Sequence, residues 1–90
     1  MKQILVVCSN GLGSSLILKS NIEKVLKEKG IEVELEHCDL GSAASQGKTA
    51  DLVVTSPALA EELGDMEAPV VTIVNFISKQ EVEKKVLPLL

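Results

Sequence analysis

The sequence contains no arginine, tryptophan or tyrosine, and Phe76 is its only aromatic residue. Nine lysines stand against thirteen carboxylates, for a net charge of -4. A nucleic-acid footprint is therefore not expected, because there is no basic stripe to displace counterions and no aromatic platform to stack bases. No apolar run reaches the roughly 18 residues of a membrane-spanning helix. Met1-Lys2-Gln3 leads straight into a four-residue apolar run rather than a secretory signal. A cytoplasmic chain with no membrane insertion is the expectation. Cysteine is scarce: Cys8 and Cys38 stand alone, neither in a C-x-x-C pair, and His37 is the only histidine. Neither a structural metal nor a disulfide scaffold fits that supply. No cofactor is expected.

What is present is aliphatic. The chain of 90 residues is 46% hydrophobic, and residues 1–90 suit one small domain, which buries only about 60 to 65% of the surface its unfolded chain exposes. Ile4-Leu5-Val6-Val7 reads as a buried strand ending at Cys8, followed by the loop Ser9-Asn10-Gly11-Leu12-Gly13. From Ser14 to Lys29, Leu18, Ile22, Val25 and Leu26 form the apolar stripe of a helix that Gly30 closes. Ile31 to His37 alternates, with Glu32, Glu34 and Glu36 on one face, which suits an edge strand. Cys38 to Lys48 is small and polar, with no assigned element.

Leu52 to Thr55 predicts a third strand, and Ser56-Pro57 predicts the N-cap and first position of a helix that Gly64 stops. Val70 to Val74 predicts a fourth strand. Ser78-Lys79-Gln80-Glu81 reads as a capping box, with Ile77 and Val82 as its hydrophobic staple. Val82, Val86, Leu89 and Leu90 continue that helix's apolar stripe, and Pro88 predicts its end near Leu87. Strands alternating with helices predict an α/β fold: a small, open, four-stranded parallel sheet with helices on both faces. The expected order is 2-1-3-4, which makes the glutamate-lined strand an edge and sets a topological switch between strands 1 and 3. Ligands bind at the carboxyl ends of strands that flank such a switch.

Cys8 stands there, at the end of a strand and beneath the start of a helix. Backbone N–H groups of Ser9, Asn10, Gly11, Leu12, Gly13, Ser14 and Ser15, turned inward where the glycines permit, can form a nest for a phosphate. The Ser14 and Ser15 hydroxyls can add donors. The positive end of the helix favours the thiolate, the nucleophilic form of Cys8. The plain alternative is a small core residue at a strand end. A Walker A loop would need a lysine that does not follow Gly11, and a dinucleotide fingerprint would need glycine where Leu16 stands. A cysteine phosphatase would carry arginine at Ser14, and no arginine exists to supply a bidentate clamp. His37, in phase with Ile31, Val33 and Leu35, reads as an ordinary half-buried histidine, and Cys38 as a structural thiol rather than a redox partner of Cys8. The lysines of the first helix, Lys19, Lys24 and Lys27, read as a solvated face.

The segment from Cys8 through Ser15 into Leu16-Ile17-Leu18-Lys19, with Cys38 closing the second strand, resembles the IIB component of the phosphoenolpyruvate-dependent sugar phosphotransferase system, in its ascorbate-type branch. The resemblance spans the chain, and its specific part is the first loop. It implies a cytoplasmic phosphoryl carrier in which Cys8 accepts phosphate from a phosphohistidine on a IIA protein and passes it to a sugar held by a membrane IIC permease. A low-molecular-weight cysteine phosphatase and a regulatory IIB-like module are the alternatives.

Overall fold

The computed structural model describes residues 2–8, 13–64 and 66–90, and the side chains of all of these except 13–15. In chain order the elements are β1 (Lys2–Cys8), α1 (Gly13–Glu28), β2 (Val33–Asp39), α2 (Leu40–Gln46), β3 (Leu52–Thr55), α3 (Pro57–Leu63), β4 (Val70–Thr72) and α4 (Lys79–Lys85), followed by a 3-10 turn over Leu87–Leu89. The sheet has the order β2-β1-β3-β4, and each pairing is parallel, as expected.

Continuous apolar runs form β1 and β3 because both strands are covered on both faces. Ile4, Val6, Leu52 and Val54 face a core closed by Leu18, Ile22, Val25 and Leu26 of α1 and by Val82 and Val86. Leu5, Val7 and Val53 face the other way, onto Cys38, Ala43 of α2 and Ala68. The helices are thus divided between the two faces of the sheet, with α1 against α4 and α2 against α3.

The end of α1 follows its glycine. Gly30 has φ +70°, its N–H donates to Lys27 O at 3.1 Å, and the Ile31 N–H donates to Leu26 O at 2.9 Å. These two bonds make a Schellman closure, which takes up Ile31 and delays β2 to Val33. Glu32, Glu34 and Glu36 are exposed along the sheet edge, where charged side chains discourage another strand from adding.

Four expectations need correction. First, the unassigned 38–48 stretch finishes β2 and then forms α2. Asp39 caps this helix, accepting the Ser42 N–H at 2.9 Å on its Oδ1. A parallel step from β2 to β3 demands a crossover, and this short helix of small residues supplies it. Second, β4 stops at Thr72 rather than Val74, because the Glu81 carboxylate takes the Val74 and Asn75 N–H groups at 2.6 and 2.8 Å.

Third, the capping box is half formed. Ser78 Oγ accepts from the Glu81 N–H at 3.2 Å, but the Ser78 N–H donates to Asn75 O, and an exposed Ile77 makes no staple with the buried Val82. Fourth, α4 ends at Lys85, Pro88 lies inside the 3-10 turn, and Leu89 is exposed while Leu90 packs on the core. Ser56 and Pro57 do start α3, with Ser56 Oγ accepting the Leu59 N–H at 3.4 Å.

Candidate functional site

β1 is the inner strand between the glutamate-lined edge and β3, and its last residue is Cys8, 3% exposed. Cys8 stands opposite Asp39, the last residue of β2. On the other side the buried Thr55, the last residue of β3, donates its hydroxyl to Val7 O at 2.8 Å. That bond satisfies a carbonyl beyond the last paired rung of β1 and β3, Val6 with Val54, and fixes the strand end from which Cys8 projects. Three strands therefore finish at one edge of the sheet, on both sides of the topological switch.

Helix α1 begins at Gly13, five residues after Cys8, and runs for 16 residues with no acid in its first turn. A helix of that length presents partial positive charge at its N-terminus, and no carboxylate in that turn competes for it. Of the expected phosphate-binding residues, Ser9, Asn10, Gly11 and Leu12 lie outside the described residues. Gly13, Ser14 and Ser15 form the opening turn of α1, and their side chains are outside the description too.

Cys38 pairs with Val7, one rung before Cys8. Strand alternation puts it on the opposite face, in the cluster of Leu5, Val7, Ala43, Val53 and Ala68. Burial, then the Asp39 charge and then Cys8 push its thiol above the ordinary range. A protonated, enclosed thiol is a packing group, in line with the sequence reading. Both cysteines are free. His37 is exposed, not half-buried; it stands opposite Val6. Among the described residues no three metal-ligating side chains gather, and no helix is long and apolar enough to cross a membrane.

Asp39 is the neighbour that sequence reasoning missed. Its signal was present, an aspartate followed three residues on by a free N–H in a stretch that had to cross the sheet, but the small residues of 40–46 carry almost no apolar period. The fold therefore places a carboxylate beside the end of β1, where the chain between Cys8 and Asp39 has no other aspartate.

The family described as the PTS system lactose/cellobiose-specific IIB subunit matches residues 3–87. The ascorbate-specific PTS system EIIB component of Mycoplasma pneumoniae is 28% identical over 82 residues, covering 90% of this chain and 86% of that protein. The protein of the same name from Salmonella choleraesuis is 31% identical over 86 residues, covering 94% and 85%. Among solved structures, the lactose-specific IIB component domain of the phosphoenolpyruvate:carbohydrate phosphotransferase system from Streptococcus pneumoniae superposes with a TM-score of 0.66 at 20% identity, over 97% of this chain and 95% of that one. With the family matched over almost its whole length and its fold superposing on a IIB domain, the chain belongs to the IIB subunits of the sugar phosphotransferase system, a phosphotransferase component in sugar transport.

Proposed function

We propose that Cys8 is the phosphoryl carrier of this subunit, taking its group from a IIA phosphohistidine and giving it to a sugar on a membrane IIC permease, in the cytoplasm. The observation that carries the reading is a cysteine at the end of an inner strand, close in sequence to the N-terminus of a long helix with no acid in its first turn. In the first step the Cys8 thiolate attacks phosphorus in line, the P–S bond forms as the P–N bond breaks, and the electron pair stays on the leaving ring nitrogen, the imidazole taking up one proton from water. In the second a sugar hydroxyl attacks, the P–O bond forms, the P–S bond breaks, and the thiolate is restored as the hydroxyl proton passes to a base of the permease or to water. Neither step needs a protein acid to protonate the cysteine, because a thiolate is its own leaving group.

The N–H groups of residues 9 to 15 hold the equatorial oxygens, the task that a loose phosphoryl-transfer transition state sets. The phosphatase alternative has gained a carboxylate in Asp39, but that carboxylate caps α2 through Ser42, and the chain has no arginine to bind the oxygens. Ascorbate is the proposed sugar, because curated relatives that match over most of their length are ascorbate-specific.

The test is intact-mass analysis after incubation with phosphoenolpyruvate, the general phosphotransfer proteins and an ascorbate-type IIA protein. One phosphoryl group should be gained, and it should be lost when membrane vesicles carrying the matching permease are added together with ascorbate. An adduct that discharges at the same rate without the permease and sugar would contradict the carrier reading.

A further inference from the structure

We infer that Leu16 and Ile17 of α1 and Ile77 of the β4–α4 loop form the docking surface for the phosphohistidine donor, a soluble protein that presents an apolar face rimmed by carboxylates. The inference rests on the reading of Cys8 as the phosphoryl acceptor. Leu16 and Ile17 are each 50% exposed and Ile77 is 74% exposed, and the three line one shallow groove together with Asn21, Lys24 and Lys79. Scattered exposed apolar residues are ordinary, but a contiguous group marks a contact site.

The groove is built rather than incidental. Asn21, 8% exposed, donates through its Nδ2 to Phe76 O at 2.9 Å and to Ser78 O at 3.2 Å. Glu81 holds the Val74 and Asn75 N–H groups, and the Ile77 N–H donates to Asn75 Oδ1 at 3.2 Å. The Asn21 bonds fasten the loop to α1 on both sides of Ile77 and the Glu81 bonds tie its start to α4, so the Ile77 side chain stays outside while Phe76 packs on the core. A pre-fixed apolar surface reduces the ordering cost of association.

Its place and charge choose the occupant. Leu16 and Ile17 lie in the turns of α1 that follow the Cys8 loop, so a protein seated there reaches the edge of the sheet where the phosphoryl group must pass. The charged groups lining the groove are Lys24 and Lys79; Lys79 also meets Glu28 at 3.2 Å. A membrane permease carries its lysine and arginine excess on cytoplasmic loops, and these would be repelled by the two lysines. A soluble donor with carboxylates at its rim is attracted.

The experiment measures the affinity of an unphosphorylated ascorbate-type IIA protein by calorimetry and the rate at which its phosphorylated form loads the full chain. Ile17→Glu and Ile77→Glu should each weaken affinity about tenfold or more and raise KM, with the loaded fraction at saturating donor unchanged. Lys24→Glu should weaken it less and flatten its salt dependence. Leu89→Glu, at a residue 48% exposed on the 3-10 turn, should leave both unchanged, and Cys8→Ser should bind the donor normally. Circular dichroism confirms that each variant is folded.

Wild-type donor affinity in Ile17→Glu and Ile77→Glu overturns the surface while leaving the carrier reading intact. Failure of the wild-type chain to bind the donor overturns the surface too. A defect confined to delivery of phosphate to permease-bound sugar gives the groove to the membrane partner and also overturns it. Donor binding that these variants abolish, with no phosphate reaching Cys8, upholds the surface and removes the carrier reading.

Discussion

Two cysteines one rung apart in the same sheet have different surroundings. Cys38 pairs with Val7 and is enclosed by the side chains of β1, β3 and α2, and its thiol is pushed up by burial and by Asp39. Cys8 pairs with Asp39, ends its strand, and stands five residues before the start of α1, the longest helix among the described residues. Burial is similar, 3% and 7% exposed, so burial alone does not distinguish the two. Position along the strand does, because Cys8 is the last residue of β1, five residues before α1 begins, whereas Cys38 lies within β2. Strand alternation also sends the two side chains to opposite faces, which prevents a disulfide without backbone movement.

The two faces differ in the same sense. The Cys8 side of the sheet is roofed by large aliphatic side chains from α1 and α4, and the Cys38 side by short helices and small residues. The contrast would break most severely at α1. Ile22→Ala leaves a hole where the side chain is fully buried, and should cost about 2 to 5 kcal/mol in denaturant unfolding. The other face should fail by overfilling. A Cβ at Gly47 would overlap Met66 Cε and come within 2.8 Å of the Ala43 carbonyl oxygen. Met66 can swing aside but the backbone carbonyl cannot, so Gly47→Ala should cost about 1 to 3 kcal/mol.

A smaller effect sharpens the comparison at the loop that α1 holds. Burial opposes the charge on Glu81, but hydrogen bonds from Lys85, Val74 and Asn75 overcome it and hold the carboxyl at about 2. A folded-state value below the ordinary one gives stability that is complete above the unfolded value of about 4.3 and is lost as pH falls towards 2. Glu81→Gln should lower stability at neutral pH by about 1 to 2 kcal/mol and flatten the acid limb of a pH-resolved melting series. An unchanged limb would show that the carboxylate does not hold the loop.

Much of this was legible because it was periodic. The stripe from Leu18 to Leu26 and the alternation about Glu34 and Glu36 report which side of each element is covered, and together they led to the edge strand and the 2-1-3-4 order. Leu40 to Gln46 was not legible, because a helix covering a small-residue face needs only Ala43 buried and so shows no stripe. The capping box at Ser78 misled for another reason. Glu81 has a choice of N–H partners, and Val74 and Asn75 reach it through a turn that spacing does not reveal. At the site, the end of β1 at Cys8 was legible from the apolar run before it, and the end of β3 at Thr55 from the Ser56-Pro57 helix start that follows. Asp39 required the register of β1 with β2.

The most direct test of the difference between the cysteines is loading by phosphorylated IIA in the wild-type, Cys8→Ser and Cys38→Ser chains, with intact mass and iodine lability of the adduct as readouts. The account predicts one iodine-sensitive phosphoryl group on the wild-type and Cys38→Ser proteins and none on Cys8→Ser. A phosphoryl group retained in Cys8→Ser, or lost in a folded Cys38→Ser, would contradict it.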